Sequence, residues 1–263
     1  MNADVQDCIV LLGDSLTQGG WEPHGFAQRL SFVYARKLDV INRGLSGYNT
    51  EWAIPVFEQF FAKCKAQETL PKVQLMTIWF GANDSCIKPS PQHVPLPAFA
   101  ANLSKLVNFV KSPDSVYYSP TTRVVLITPP PVNTRHRGAQ LAARDPPQDL
   151  DRKFDVTREY AEAVKEVGRK EGVPVVDIWT SIWEATGKVE EDLTKYLKDG
   201  LHLNADGYTF VYDDLNNTIK ESYPEIHYEA LEFVFPYWGE VANSPDPLKA
   251  LTRRDIFTGE YRV

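Results

Sequence analysis

Short runs of consecutive apolar residues alternate along this chain with longer stretches in which apolar residues recur every three to four positions. The first kind predicts buried strands, and the second predicts helices packed by one face. Ile9-Val10-Leu11-Leu12 opens the series, so a strand is predicted over 8–12, and Gly13-Asp14-Ser15 ends it. A helix over about 25–38 follows, with Phe26, Leu30, Val33, Tyr34 and Leu38 on its apolar side. Val40-Ile41-Asn42-Arg43 forms a short second strand that stops at Gly44. The next helix is predicted over about 50–65, presenting Val56, Phe57, Phe60, Phe61 and Cys64, with Thr50 as its cap and Pro55 near its first turn.

The third strand, 73–80, is the most continuously apolar and is therefore predicted to be central. A proline-rich loop over 88–97 leads to a helix carrying Phe99, Leu103, Leu106, Val107 and Val110. After a loop over 112–122, the fourth strand spans 123–128 and is cut off by Pro129-Pro130-Pro131, which lack the N–H groups a ladder needs. Residues 132–150 are polar, with Arg135, Arg137, Arg144 and Pro146-Pro147. They read as a long structureless loop, either a lid over a binding site or a mobile surface insertion. A helix over 151–171, a fifth strand over 173–179, short helical pieces over 181–197 and a last helix over about 205–222 complete the pattern. Five strands with interleaved helices predict an α/β fold, a three-layer α/β/α sandwich with a parallel sheet. This domain takes in 1–223. Residues 224–263 lose the periodicity but hold Tyr228, Phe233, Phe235, Tyr237, Trp238, Phe257 and Tyr261. Such an aromatic-rich extension is expected to pack on the domain, to roof the site or to join subunits in a homo-oligomer.

Composition narrows the class. With 263 residues, 43 % of them hydrophobic, the chain can build a full core without staples. A net charge of −7 disfavours nucleic acid and anionic membrane surfaces as partners, since both need clustered Lys and Arg. Cys8, Cys64 and Cys86 cannot all pair, and they are expected as reduced thiols in or near the core. The first apolar run is too short for a signal peptide or a membrane helix, which points to a cytoplasmic protein. Histidines and cysteines are too scattered for a zinc set, so neither metal nor organic cofactor is expected.

The candidate chemistry begins at Ser15, which follows a central strand at its carboxyl end, where ligands bind in open α/β sheets. A serine nucleophile needs a base, a group to orient that base, and donors for an oxyanion. Of His24, His93, His136, His202 and His227, only His202 has a carboxylate three positions earlier, Asp199, with Gly200 between them for a tight turn. Asn83, in Gly81-Ala82-Asn83-Asp84 after strand three, and Gly47, after strand two, could each turn an N–H toward a developing negative charge. Each signal alone reads equally as a turn. Their coincidence at the same end of the predicted sheet carries the argument. No Gly-x-Ser-x-Gly elbow surrounds Ser15, which disfavours the α/β-hydrolase fold.

Gly13-Asp14-Ser15-Leu16, Gly47, Gly81-Ala82-Asn83-Asp84 and Asp199-Gly200-Leu201-His202 resemble, in order, the four blocks of the GDSL or SGNH hydrolases. The resemblance covers about residues 9–223. It implies a flavodoxin-like sheet of strand order 2-1-3-4-5, Ser15 as nucleophile, His202 as base with Asp199 as its partner, and an oxyanion hole from Ser15, Gly47 and Asn83. Arg43-Gly44-Leu45-Ser46-Gly47-Tyr48-Asn49-Thr50 and Val94-Pro95-Leu96-Pro97 are further similar to the isoamyl acetate-hydrolysing esterase subgroup, which implies short, acetate-type esters as substrates. A carbohydrate acetylesterase or thioesterase using the same residues is the alternative within enzymes; Trp21, Tyr48, Trp52 and Trp79 could line an acyl pocket or stack on sugars, or simply pack in the core. A non-catalytic acyl- or glycan-binding protein is the alternative outside them.

Overall fold

In the computed structural model, which describes residues 6–261, five parallel strands are β1 (Cys8–Gly13), β2 (Asp39–Gly44), β3 (Val73–Trp79), β4 (Arg123–Ile127) and β5 (Val175–Val176), in the spatial order β2-β1-β3-β4-β5. Side chains alternate between two buried faces. Ile9, Leu11, Leu75, Trp79, Val125 and Ile127 enter one core, and Cys8, Val10, Leu12, Met76, Ile78, Val124 and Leu126 enter the other. Burial on both sides is why these strands read as continuous apolar runs rather than alternating ones.

The helices up to residue 222 are α1 (Ser15–Gln18), α2 (Phe26–Val33), α3 (Thr50–Phe60), α4 (Leu96–Lys111), α5 (Thr134–Ala142), α6 (Phe154–Glu171), α7 (Ile178–Ala185) and α8 (Ala205–Ser222), and the short α9 (Trp238–Ala242) and α10 (Pro247–Ala250) follow in the extension. α2, α7 and α8 cover the first face, with Phe26, Leu30, Ile182, Val211 and Leu215 in its core. α3, α4 and α6 cover the second, where Phe57 stacks on Phe61 and Phe109 at 4.9 and 5.1 Å and Phe99 meets Tyr160 at 5.0 Å. The expected three-layer sandwich and its strand order are therefore present. No helix among the described residues is long and apolar enough to cross a membrane.

Several boundaries differ from the sequence expectation. α2 ends at Val33, and the chain turns through Arg36 at φ 67° before β2. α3 is capped by Asn49, whose side chain accepts from the Trp52 N–H at 3.0 Å; Thr50, expected as the cap, is instead the buried first helical residue. α3 stops at Phe60, which leaves Cys64 exposed rather than in the core. β5 has two residues instead of seven, because Pro174 has no N–H for the ladder and Asp177 caps α7 at once through Thr180 N at 3.1 Å. Residues 132–150 are not structureless. Asn133 caps α5 inside them by accepting from His136 N at 2.9 Å. α6 begins at Phe154, leaving Asp151 and Arg152 in the approach to it.

Beyond α8 the chain runs against the end of α2. Tyr34 donates its hydroxyl to Ile226 O at 3.0 Å, and Arg36 donates to Phe235 O and Pro236 O at 2.9 and 2.8 Å. Leu231, Val234 and Ile256 are buried there. These contacts lie beside the start of β2, at the opposite end of the strands from the loops that carry Ser15 and Asn83.

Candidate active site

β1 and β3 are neighbours whose connections leave in opposite directions, and such a switch point opens a crevice at the carboxyl end of the sheet. Ser15 follows β1 as the first residue of α1. Asp14 caps that helix, accepting from Leu16 N at 2.9 Å. Three groups pin the helix: Asn42 donates to Thr17 O at 2.8 Å, Tyr208 to Leu16 O at 2.8 Å, and Ser46 N to the Gln18 side chain at 3.0 Å. The Ser15 hydroxyl therefore emerges from a fixed turn.

Its neighbour comes from 187 positions away. His202 Nε2 lies 2.9 Å from Ser15 Oγ, and His202 Nδ1 lies 2.8 Å from Asp199 Oδ2. The Asp199–His202 turn is closed by its own carboxylate, since Asp199 Oδ1 accepts from Leu201 N at 3.0 Å and His202 N at 2.7 Å. Lys198 N donates to His202 O at 2.8 Å and seals the base of the loop. Burial pushes the Asp199 carboxyl up, but the side-chain and backbone hydrogen bonds of His202, its charge and the Leu201 N–H outweigh that and hold it well below the usual carboxylate range. Arg137 Nη1 adds a cation 3.3 Å from the same Oδ2.

Asn83 and Gly47 stand on adjacent loops. Asn83 Nδ2 donates to Tyr48 O at 2.8 Å, and its Oδ1 accepts from Arg152 Nη2 at 2.6 Å. Asp84 ties that loop to α3, accepting from Thr50 Oγ1 at 2.6 Å, Thr50 N at 2.9 Å and Gly81 N at 3.2 Å. Gly47 takes φ 82°, a backbone state that L side chains rarely adopt, and its carbonyl accepts from Gln92 Nε2 at 2.8 Å. Among the described residues the N–H groups of Ser15 and Gly47 have no acceptor. Burial pushes the carboxyls of Asp14 and Asp84 up to about 7 and about 6.

Ser15 and His202 open into a cleft of about 460 Å³ with Gln18, Gly19, Trp21, Glu22, Ser46 and Lys198. Glu22 and Lys198, both in its lining, pair at 2.7 Å. Trp21 is 46 % exposed there, whereas Trp79 lies wholly in the core and donates Nε1–H to Thr128 O at 2.9 Å, so it lines no substrate pocket. The structure thus brings Ser15, His202 and Asp199 into one hydrogen-bonded line, with the loops of Gly47 and Asn83 joined through Tyr48. Arg137, Asp151 and Arg152 were not singled out by the sequence reading. The signal available was Arg137 in the segment expected to be loop and the adjacent Asp151-Arg152 pair at the expected start of the next helix.

A parallel sheet with a hydroxyl, an imidazole and a carboxylate in line at its carboxyl end has the architecture of a hydrolase. The profile of the GDSL-like lipase/acylhydrolase family matches residues 11–210. Isoamyl acetate-hydrolyzing esterase 1 homologs of Bos taurus and Homo sapiens are each 36 % identical over 245 residues, 92 % of this chain and 91 % of theirs. A GDSL esterase/lipase of Arabidopsis thaliana is 32 % identical over 252 residues, 94 % of this chain and 98 % of its own. Among solved structures, a lipase/acylhydrolase from Enterococcus faecalis is similar with TM-score 0.60 and 23 % identity, over 82 % of this chain and 97 % of that one. An acetylxylan esterase from Geobacillus stearothermophilus has TM-score 0.58 and 17 % identity, over 82 % and 96 %. The chain belongs to the GDSL-like lipase/acylhydrolase family, and it is a carboxylic ester hydrolase.

Proposed function

We propose that this chain is a serine esterase that hydrolyses short, acetate-type carboxylic esters through an acyl-enzyme. The observation that carries the reading is the unbroken line from Ser15 Oγ through His202 to Asp199, at 2.9 and 2.8 Å. His202 Nε2 takes the hydroxyl proton as Oγ attacks the ester carbonyl carbon. Asp199 holds the ring with Nδ1–H toward itself and offsets the imidazolium charge. The former carbonyl oxygen, now an oxyanion, accepts from Ser15 N–H, Gly47 N–H and the second Nδ2 hydrogen of Asn83. His202 then returns the proton to the departing alcohol oxygen as the tetrahedral carbon collapses to an acyl-Ser15. Water, deprotonated by the same nitrogen, attacks that acyl carbon and releases the acid.

The acetate preference is supported by the names of the mammalian relatives. A second reading, an esterase for acetylated carbohydrate, is favoured by that exposed Trp21 among Gln18, Glu22 and Lys198, since an aromatic face with polar neighbours suits a sugar ring. Incubation with p-nitrophenyl esters from acetate to octanoate, with acetylated xylo-oligosaccharides and with a fluorophosphonate probe tests both. Fastest release from the acetate and labelling of Ser15 are expected, both lost in Ser15→Ala. Faster release from octanoate would overturn the short-chain assignment. Preference for the acetylated sugar over alkyl acetates would select the second reading. Neither release nor label would leave a non-catalytic binding protein.

A further inference from the structure

Two arginines lie buried beneath the cleft, Arg137 at 5 % and Arg152 at 2 % exposure. A buried guanidinium is tolerated only with partners for its charge and its donors. Both find them on Asp151. Arg137 donates to it through Nε at 3.1 Å and Nη2 at 2.8 Å, and Arg152 Nη1 pairs with the same carboxylate. The remaining donors point outward in two directions. Arg137 Nη1 reaches Asp199 Oδ2, while Arg152 Nε reaches Ala82 O at 2.6 Å and Nη2 reaches Asn83 Oδ1 at 2.6 Å. We propose that Arg137, Asp151 and Arg152 form a positioning bridge that fixes Asp199 and Asn83 relative to each other, so that the proton-accepting and anion-binding sides of the cleft are held as one unit. The inference rests on the roles given above to Asp199 and Asn83.

The chemistry of the donors gives each contact a direction. A guanidinium has only N–H groups, so the Asn83 atom facing Arg152 has to be the oxygen. Tyr48 O is an acceptor only, so the amide nitrogen faces it. One Nδ2 hydrogen is taken by Tyr48, and the other is left for the cleft. Without Arg152 the orientation of the amide rests on Tyr48 O alone. On the other side, Arg137 draws charge from the oxygen that also accepts from His202 Nδ1. The groups facing His202 are Ser15, Asp199 with Arg137 behind it, and the Glu22–Lys198 pair at the mouth, with Asp14 adjoining Ser15 in the chain. Of these, Arg137 is the buried cation in contact with Asp199, and it opposes a second positive charge on the imidazole.

The backbone supports the same joint. Asn133 N donates to Gly200 O at 3.0 Å, seating the start of α5 on the Asp199–His202 loop. Gly200 sits at φ 82°, and a Cβ there would lie 2.5 Å from Arg137 N, so helix and loop are in direct contact. Within the segment expected from sequence to be a structureless lid or insertion, α5 is thus the element that delivers Arg137.

The test is steady-state hydrolysis of p-nitrophenyl acetate by the full chain, with rates normalised to sites labelled by fluorophosphonate. In Arg137→Gln the acid limb of the kcat/KM–pH profile should move up by about one pH unit, as loss of a nearby like charge requires. Arg137→Lys, which keeps the charge, should leave that limb in place. Arg152→Lys should lose about tenfold in kcat with little change in KM, less than the about 10²–10³ for deleting the oxyanion donor itself. One ammonium cannot serve Ala82 O and Asn83 Oδ1 in the guanidinium's fixed fork. A purely structural role would lower the labelled fraction or Tm without moving the limb or the rate per labelled site, and that result would overturn the proposal. An unlabelled, inactive wild-type protein would instead overturn the esterase assignment on which it rests.

Discussion

Replacing Asp199 by Asn gives the sharpest test of the proposed proton relay, because the geometry dictates what the new amide must do. Asp199 Oδ1 accepts from two backbone N–H groups, Leu201 at 3.0 Å and His202 at 2.7 Å, so the amide oxygen stays there. The NH₂ group then occupies the Oδ2 position and faces His202 Nδ1 and Arg137 Nη1. A donor facing Nδ1 forces that nitrogen to accept, which moves the ring proton to Nε2. Nε2 now donates to Ser15 Oγ across the same 2.9 Å and can no longer take its proton. The imidazolium also loses its counter-charge. Loss of about 10⁴ in kcat is expected, the size associated with a wrong tautomer in such a triad, or roughly 5.5 kcal/mol at about 1.36 kcal/mol per decade. Stability should fall by only about 1–3 kcal/mol, the scale for donors left without acceptors. The assay is p-nitrophenyl acetate hydrolysis per labelled site, with Tm measured in parallel. An Asp199→Asn protein within about tenfold of wild type at pH 7 would refute the role given to this carboxylate.

Asn83→Ala removes one proposed oxyanion donor and should lower kcat by about 10²–10³ while KM stays close to wild type; a loss confined to KM would place Asn83 in substrate binding instead. Asp14 has a second carboxylate oxygen with no partner, and burial raises its pKa from 3.8 to about 7. The native state therefore binds the proton more tightly than the unfolded chain, and stability should decline as pH rises from about 4 to about 7, by on the order of 4 kcal/mol at most. Asp14→Asn removes that pH-dependent loss, so its effect on Tm should be more favourable at pH 8 than at pH 5 in thermal denaturation, and equal changes at the two values would contradict the assignment. Gly200→Ala places a Cβ against Arg137 N in a left-handed backbone, with an expected loss of about 1–3 kcal/mol in chemical denaturation; an unchanged midpoint would deny the close seating of α5.

Legibility followed burial. Strands such as Leu75–Trp79 are enclosed on both faces, so every position but Thr77 is apolar, and the run announced itself. α8 was placed residue for residue, because Asn204 caps it through Gly207 N and its apolar spacing is regular. The local pair Asp199–His202 was readable because an Asp can fold back onto an imidazole three residues on, whereas the approach of Ser15 across 187 positions depended on strand order. α5 was missed for a physical reason. Its buried residues are Arg137 and Leu141, so a charge takes one of the two inward positions and too little hydrophobic periodicity is left to detect. Arg137 looked like ordinary surface charge, since its counter-charges Asp151 and Asp199 come from 14 and 62 positions away; Arg152 has Asp151 beside it, but its contacts with Ala82 and Asn83 lie about 70 positions off. β5 was overread for the converse reason, because the apolar residues of Ile178-Trp179 serve α7 rather than a strand.

The carboxylates under the cleft show how one buried polar layer produces different acids. Asp14 accepts one backbone N–H and leaves an oxygen unpartnered, and it is raised to about 7. Asp84 is nearly as buried but accepts three hydrogen bonds from Thr50 and Gly81, and it is raised less, to about 6. Asp199 is less buried and accepts four, one from a guanidinium, and its carboxyl falls well below the ordinary range. Desolvation favours the neutral acid, and each donor favours the anion, so the order follows the donor supply as burial slackens. The consequence for the proposed mechanism is specific. Asp199 keeps its charge through the range in which Asp14 titrates, so inactivation by mild acid cannot come from protonating the group that orients His202. A burial that would disable an isolated carboxylate is offset here by the turn of its own loop and by Arg137, which arrives from α5.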